Sequence, residues 1–212
     1  MEVIVESTKL KVNEIFYSLQ GEGARAGEPS IFIRLTGCSA KHACFKSGVV
    51  CDTEFESGVD MSIREILDWI YANGKGCNWI VWTGGEPCDQ LTEEIVEYFK
   101  TVGGDEGFNQ AIETSGIKRP PENIDYICLS PKVAEHTILK KWQGILLNEL
   151  RWVRSAGQAI PNTKIHADNY YLSPHSDGFN INQENLDWCI GLCLANPRWR
   201  LSLQQHKIWD VR

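Results

Sequence analysis

No stretch of this 212-residue sequence stays apolar for the roughly 20 residues a bilayer-spanning helix needs. The opening segment, MEVIVESTKL, is acidic and lacks the basic-then-apolar layout of an export signal. Basic charge is scarce too, with 21 Lys and Arg against 28 Asp and Glu giving a formal charge of −7. Nucleic-acid binding needs clustered cations to neutralise phosphates, and no dense basic run occurs. Internal repeats, low-complexity tracts and linker-like composition shifts are also missing. The expectation is one domain over residues 1–212, cytoplasmic, with neither a membrane nor nucleic acid as partner.

What is present begins with cysteine, of which there are eight. A reducing compartment disfavours disulfides, so a local cluster points first to metal binding or catalysis. Cys38, Cys44 and Cys51 fall within fourteen residues, while Cys77, Cys88, Cys128, Cys189 and Cys193 are scattered. Cys189 and Cys193 share an apolar helical face with Leu186 and Ile190 and are expected to be core thiols.

Short β-rich runs lie at Ser30–Thr36, Asn78–Thr83, Ala111–Thr114, Ile124–Leu129, Glu149–Val153 and Trp199–Leu203. Three helices are expected, each with a capping signal: Ser62 with Glu65, Thr92, and Asn182. This alternation predicts an α/β fold with a mostly parallel sheet of about six strands, too few for a closed eight-fold barrel and therefore a partial one. Gly37–Cys38, Gly84–Glu86, Ser115–Gly116 and Ser130–Lys132 each follow a strand. Sites in parallel folds gather at the strands' carboxyl ends, so these four clusters are expected to converge.

Zinc and iron–sulfur clusters both take thiolates. A structural zinc site wants four ligands, and His42 is available as the fourth. A [4Fe–4S] cube on three thiolates leaves one iron open to chelate S-adenosylmethionine (SAM). Spacing alone leaves cluster, zinc and unligated thiols all open. Trp82-Thr83-Gly84-Gly85-Glu86-Pro87 narrows the choice. Two glycines permit close backbone approach, and Glu86 offers a carboxylate to an ammonium group. By itself this string also reads as a turn before the Thr92-capped helix. Together with three upstream cysteines, it resembles the SAM amino-group site of radical SAM enzymes.

The flanking strings narrow the resemblance further. Leu19-Gln20-Gly21-Glu22-Gly23, Ile31-Phe32-Ile33-Arg34-Leu35-Thr36-Gly37-Cys38, Cys51-Asp52-Thr53, Glu113-Thr114-Ser115-Gly116, Ser130-Pro131-Lys132 and Trp199-Arg200-Leu201-Ser202-Leu203-Gln204-Gln205-His206-Lys207 run in order over nearly the whole chain. They resemble the 7-carboxy-7-deazaguanine synthase family. That resemblance implies a radical SAM lyase, a partial radical SAM βα barrel that contracts 6-carboxy-5,6,7,8-tetrahydropterin to 7-carboxy-7-deazaguanine with loss of ammonia, on the way to queuosine and other deazapurines. It also implies a [4Fe–4S] cluster, SAM and Mg²⁺, a flavodoxin- or ferredoxin-type reductant, and a homodimer.

Carried onto this chain, the resemblance puts the cluster on Cys38, Cys44 and Cys51 within a loop at 38–53, and Mg²⁺ on Thr53. SAM falls to Asp52, Gly85, Glu86, Ser115, Ser130, Pro131, Lys132 and Ser173. The pterin falls to Leu19, Gln20, Gly21, Glu22, Arg34, Thr83, His206 and Arg212, with Glu22, Arg34 and His206 in catalytic roles and residues 199–212 covering the substrate. Glu22 can accept paired ring N–H groups, and Arg34 can fork onto a carboxylate or carbonyl. Three positions depart from the family pattern. The cysteines are spaced Cys-x5-Cys-x6-Cys rather than Cys-x3-Cys-x2-Cys, with Gly48 where the middle ligand would be and Cys44 the only cysteine within the loop. Ser173 stands where Gln is more usual, and Gln205 replaces a Thr. The competing readings are another small radical SAM enzyme, such as a glycyl-radical activase, and a zinc-stabilised module without catalysis.

Overall fold

The computed structural model describes residues 2–46, 51, 53–103, 107–176 and 180–212. In chain order the elements are α1 (Glu2–Ser7), β1 (Lys9–Leu19), β2 (Pro29–Leu35), α2 (Lys41–Lys46), β3 (Val59–Ser62), α3 (Ile63–Asn73), β4 (Trp79–Gly84), α4 (Glu93–Val102), β5 (Asn109–Thr114), β6 (Tyr126–Leu129), α5 (Glu135–Trp142), β7 (Leu147–Arg154), β8 (Ala167–Pro174), α6 (Gln183–Ala195), β9 (Trp199–Leu201) and α7 (Gln205–Trp209). The strands form one sheet in the order β3-β1-β2-β4-β5-β6-β7-β8-β9. From β2 to β9 every pairing is parallel, whereas β1 runs antiparallel to both β2 and β3. β3 and β9 are left as edges, so the barrel is partial, as expected.

Alternation along the strands separates two layers. Ile31, Ile33 and Leu35 of β2, Ile80 and Trp82 of β4, and Ile112 of β5 face the main hydrophobic core. Phe32, Val81 and Ala111 turn to the other face, with Phe16 of β1. Period two then sends Arg34, Thr83, Glu113, Cys128 and Arg151 to that same inner face, further along their strands. Inner-face polar groups therefore collect towards the carboxyl ends of the strands.

The three helices with capping signals form as expected. Ser62 and Glu65 make a reciprocal capping box on α3. Thr92 accepts from Ile95 N on α4, and Asn182 accepts from Asn185 N on α6. On α6 the apolar residues run around the helix rather than along one face. Cys189 is buried in the core and Cys193 packs against it, but Ile190 is exposed, contrary to expectation.

Three strands exceed the six expected. β1 carries Lys9, Lys11, Asn13 and Glu14, which mask its alternation, and it is held by pairing on both sides. β3 has only four residues and extends the β1 edge. β8 carries Asp168-Asn169 near its start and closes on Ser173-Pro174, both turn signals, yet it pairs with β7 over Leu147–Arg154. Tertiary pairing overrides local propensity in all three. Among the described residues no helix is long and apolar enough to cross a membrane.

Candidate active site

A cavity of about 240 Å³ opens at the carboxyl ends of the parallel strands. One wall is Thr83, Gly84 and Gly85 at the end of β4, with Glu113, Thr114 and Ser115 at the end of β5. The lining continues along the sheet with Cys128, Ser130 and Lys132 from the end of β6 and the turn after it, Arg151 and Val153 from β7, and Ser173 and Pro174 from β8. Cys38, Cys44, Cys51 and Thr53 come in from the loop after β2, and Glu22 and Gln204 close another side. Of the four clusters expected to converge, Gly84–Gly85, Ser115, Ser130 with Lys132, and Cys38 all reach this one cavity.

The three loop thiols form a set of their own. Burial pushes the Cys38 thiol above its usual value, a backbone N–H at Ala40 pulls it down, and Glu86, Cys44 and Cys51 raise it further. Cys44 is also raised by burial, eased by Lys132 and raised again by Cys51. Cys128 also lines the cavity, but its electrostatic neighbours are Arg151, Glu149, Glu113 and Glu22, not the loop thiols. Among the described residues, no three His, Cys, Asp or Glu converge as the ligands of a single ion would. A cube binds each thiolate to a different iron, so three thiols spread around a cavity wall fit a cluster better than a closed zinc tetrahedron.

The Gly-Gly-Glu-Pro segment differs from expectation in its details. Gly84 has φ +106°, and a Cβ there would come 2.4 Å from Leu35 N. A Cβ on Gly85 would lie 1.8 Å from Gly37 O and 3.2 Å from Cys38 Cβ. The glycines are thus required by contact with β2 and the residue before Cys38, in addition to any ligand. Gly85 N donates to Leu35 O and Glu86 N to Gly37 O, both at 2.9 Å, which ties this turn to the start of the cysteine loop.

Glu86 departs from its expected role of facing a ligand's ammonium group. It is 0% exposed and lies outside the cavity lining. Its carboxylate accepts from Cys88 N at 3.3 Å, Thr114 Oγ1 at 2.7 Å, Ser115 N at 2.9 Å, and Ser115 Oγ. Four donors from the protein hold it inward, and Ser115 stands in the cavity wall as a result.

The residues linked with the pterin divide into two groups. Glu22 and Thr83 line the cavity, and Gln20 Nε2 reaches Glu113 Oε1 at 3.3 Å beside it. Arg34 does not line it. Its Nη1 pairs with Glu14 Oε1 across the β1–β2 ladder at 2.6 Å. Arg212 pairs with Glu14 Oε2 at 3.1 Å, and both arginines lie over the Phe16 ring. His206 on α7 packs so tightly on Gly21 that a Cβ there would meet His206 Nδ1 at 2.1 Å, and Gln205 N donates to Gly21 O at 2.9 Å. Leu19 pairs with Pro29 at the end of the same ladder. The C-terminal segment therefore lies over the residue 19–23 loop, with Arg34, His206 and Arg212 beside the cavity rather than in its lining. Of the residues assigned to SAM and Mg²⁺, Gly85, Ser115, Ser130, Lys132, Ser173 and Thr53 line the cavity, while Pro131 is buried between its neighbours. Asp52 lies outside the described residues.

Sequence reasoning missed the charged centre of the cavity. Arg151, 5% exposed, donates to Glu22 and, at 2.9 Å, to Glu149, and lies 3.6 Å from Glu113. Thr83 Oγ1 donates to Glu113 Oε2 at 3.1 Å. A signal existed in Glu149-Leu150-Arg151, two charges on the same face of an otherwise apolar strand. Among the described residues, Arg151 Nε and Ser173 Oγ are buried on this wall without a hydrogen-bond partner.

Three thiols beside a glycine-rich turn, at the carboxyl ends of a partial parallel barrel, define the site of a radical SAM enzyme. Comparison with known proteins carries this to a family. No family model matches the chain. It is 34% identical to the 7-carboxy-7-deazaguanine synthase of Bradyrhizobium diazoefficiens over 95% of this chain and 98% of the relative. Identity to the synthase of Bacteroides thetaiotaomicron is 33% over the same shares, and to that of Haemophilus influenzae 35% over 93% and 92%. The crystal structure of QueE from Escherichia coli superposes with a TM-score of 0.64 at 25% identity, covering 97% of this chain and 98% of that one. The chain belongs to the 7-carboxy-7-deazaguanine synthase family, and is an enzyme of deazapurine biosynthesis.

Proposed function

We propose that this enzyme contracts the ring of 6-carboxy-5,6,7,8-tetrahydropterin to give 7-carboxy-7-deazaguanine and ammonia. The observation that carries this reading is the meeting of two residue sets in one cavity, the three loop thiols and the Glu22–Arg151–Glu113 group.

Cys38, Cys44 and Cys51 hold a [4Fe–4S] cluster in this reading. The cluster, when bound, supplies the electron that cleaves SAM to the 5′-deoxyadenosyl radical. Everything else the chain does is binding and placement. Ser115, Gly85, Ser130, Lys132 and Ser173 bind SAM, and Asp52 and Pro131 are assigned the same role. Ser173 supports this assignment, because its buried hydroxyl lines the cavity and has no hydrogen-bond partner among the described residues. Glu86 acts through Ser115, which it holds by two hydrogen bonds. Thr53 contributes a hydroxyl to Mg²⁺, with water and substrate oxygens supplying the remaining ligands.

Glu22 and Thr83 meet the pterin inside the cavity. Leu19, Gln20 and Gly21 form its edge, Arg34 approaches from β2, and His206 and Arg212 approach from the C-terminal cover. Carboxylates suit the amino and ring N–H groups of a pterin, which are donors. Hydrogen abstraction demands that the carbon bearing the carboxylate be held beside the radical, so misplacement wastes SAM. The proposal includes a flavodoxin- or ferredoxin-type reductant, a homodimer, a single domain over residues 1–212, and a cytoplasmic setting without membrane or nucleic-acid partners. Its test is anaerobic turnover with SAM, reductant and carboxytetrahydropterin. Deazapurine should form with SAM regenerated, and absence of deazapurine from reconstituted wild-type protein overturns the reading.

A further inference from the structure

Arg151 meets three carboxylates at the cavity, those of Glu22, Glu149 and Glu113, and the reading above gives it no task of its own. On the inner face of β7 it stands two residues from Glu149, which is 1% exposed. Both reach the loop that joins β1 to β2. Glu149 Oε1 accepts from Ala24 N at 2.8 Å, and Arg151 Nη1 donates to Glu22 Oε2. The two residues also bind each other, Arg151 Nη2 to Glu149 Oε2 at 2.9 Å. Tyr126 OH donates to Glu149 Oε1 at 2.7 Å from the neighbouring strand. A Cβ on Gly23 would lie 2.1 Å from Glu149 Oε2, so the loop sits directly on the carboxylate. Ser202 Oγ holds the other side of Gly23 by accepting its N–H at 3.0 Å.

We propose that Glu149 and Arg151 form a two-point clamp on loop 20–24, with Arg151 a positioning residue that fixes the Glu22 carboxylate towards the substrate's N–H groups. The identity of that substrate rests on the ring-contraction reading.

A glutamate alone on a loop has several rotamers, and ordering it on binding costs affinity. Arg151 removes that freedom before substrate arrives. Its planar fork serves two carboxylates at once, one through each terminal nitrogen, which a lysine's point charge cannot reproduce. Glu149 in turn keeps the fork from rotating, because Ala24 N and Tyr126 OH hold its own position. Burial opposes the guanidinium charge, but the Glu22, Glu149 and Glu113 carboxylates around it outweigh that and keep it protonated.

The test compares wild type with Arg151→Met, Arg151→Lys, Glu22→Gln and the Glu22→Gln/Arg151→Met double variant, each reconstituted anaerobically. Three quantities are measured: KM for carboxytetrahydropterin, Kd for SAM, and 5′-deoxyadenosine formed per deazapurine. Arg151→Met should raise KM for the pterin about tenfold or more and raise the abortive ratio severalfold, with SAM affinity within about twofold of wild type, as expected for a lost charge-assisted hydrogen bond. Arg151→Lys should fall between. The double variant should be no worse than the poorer single, because both changes disable one unit. Wild-type KM and ratio in Arg151→Met, a parallel loss of SAM affinity, or losses that multiply in the double variant would each overturn the clamp. If Arg151→Met fails to fold, Arg151→Lys carries the same comparison, and wild-type values there exclude the fork. Lack of deazapurine from the wild type itself would overturn the underlying reading instead.

Discussion

Substituting Gln for Glu86 distinguishes a carboxylate that holds the site together from one that binds SAM directly. In the structure one oxygen accepts from Cys88 N and Thr114 Oγ1, and the other from Ser115 N and Ser115 Oγ. Hydroxyls can turn around to face an amide NH₂, but backbone N–H groups cannot. Whichever way the amide is placed, its NH₂ confronts one backbone donor in a fully buried setting. Such an unmatched buried pair costs about 1–3 kcal/mol. At about 2–4 °C per kcal/mol for a chain of this size, Tm should fall by roughly 2–12 °C. Ser115 loses its fixed position, so SAM affinity should decline along with stability. Anaerobic thermal melting and SAM titration of the reconstituted variant read the two effects. A variant that melts like wild type and yet loses SAM would refute this argument and return Glu86 to direct contact with the ligand's ammonium group.

Other expectations are more direct. Cys44→Ala should lower iron content and abolish SAM cleavage, because one thiolate of three is lost; full iron and activity would remove Cys44 from the ligand set. Thr53→Ala should weaken the response of turnover to Mg²⁺ without altering the cluster's absorption, and an unchanged Mg²⁺ titration would exclude it. Burial raises the Cys38 and Cys44 thiols above their ordinary value, so both are protonated at neutral pH and must release protons on ligation. Iron uptake by the apoprotein should therefore quicken as pH rises from 7 towards the ordinary thiol range, and a flat profile would contradict it.

Local signals proved sufficient wherever a residue acts on its own neighbours. Ser62, Thr92 and Asn182 cap helices as their spacing predicts, because a cap is settled within four residues. The meeting of Cys38, Gly85, Ser115 and Lys132 was also legible, since strand ends in a parallel sheet share one side. Features that depend on a distant partner were not. β8 looks like a turn until β7 is beside it, and Glu86 looks like a ligand group until Thr114 and Ser115 are seen to enclose it. Arg151 needed a loop some 129 residues earlier in the chain to give it a meaning. Its burial is paid for only in three dimensions, by carboxylates from two strands and a loop.

Glu22 and Arg34 were expected to share a pocket, and the structure ranks them instead. Glu22 lines the cavity and is bound by buried Arg151. Arg34 lies at its edge, about one-third exposed, paired with the partly exposed Glu14. Hydrogen bonds to charged groups contribute about 1.5–3 kcal/mol, so losing one at Glu22 should cost roughly tenfold to 150-fold in kcat/KM for the pterin. A part-exposed ion pair is worth only about 0–1 kcal/mol, so a substrate oxygen can displace Glu14 from Arg34 with little to gain or lose. Arg34→Ala should therefore cost less than Glu22→Gln, although both variants keep the cluster and SAM binding. In each, 5′-deoxyadenosine should accumulate relative to deazapurine, more so for Glu22→Gln, because a loosely held substrate lets the radical quench elsewhere. The assay is single-batch anaerobic turnover with both products quantified over a range of pterin concentrations. The reverse order, with Arg34→Ala the more damaging, would mean that the β2 edge beside the cavity and not Glu22 in its lining governs substrate placement.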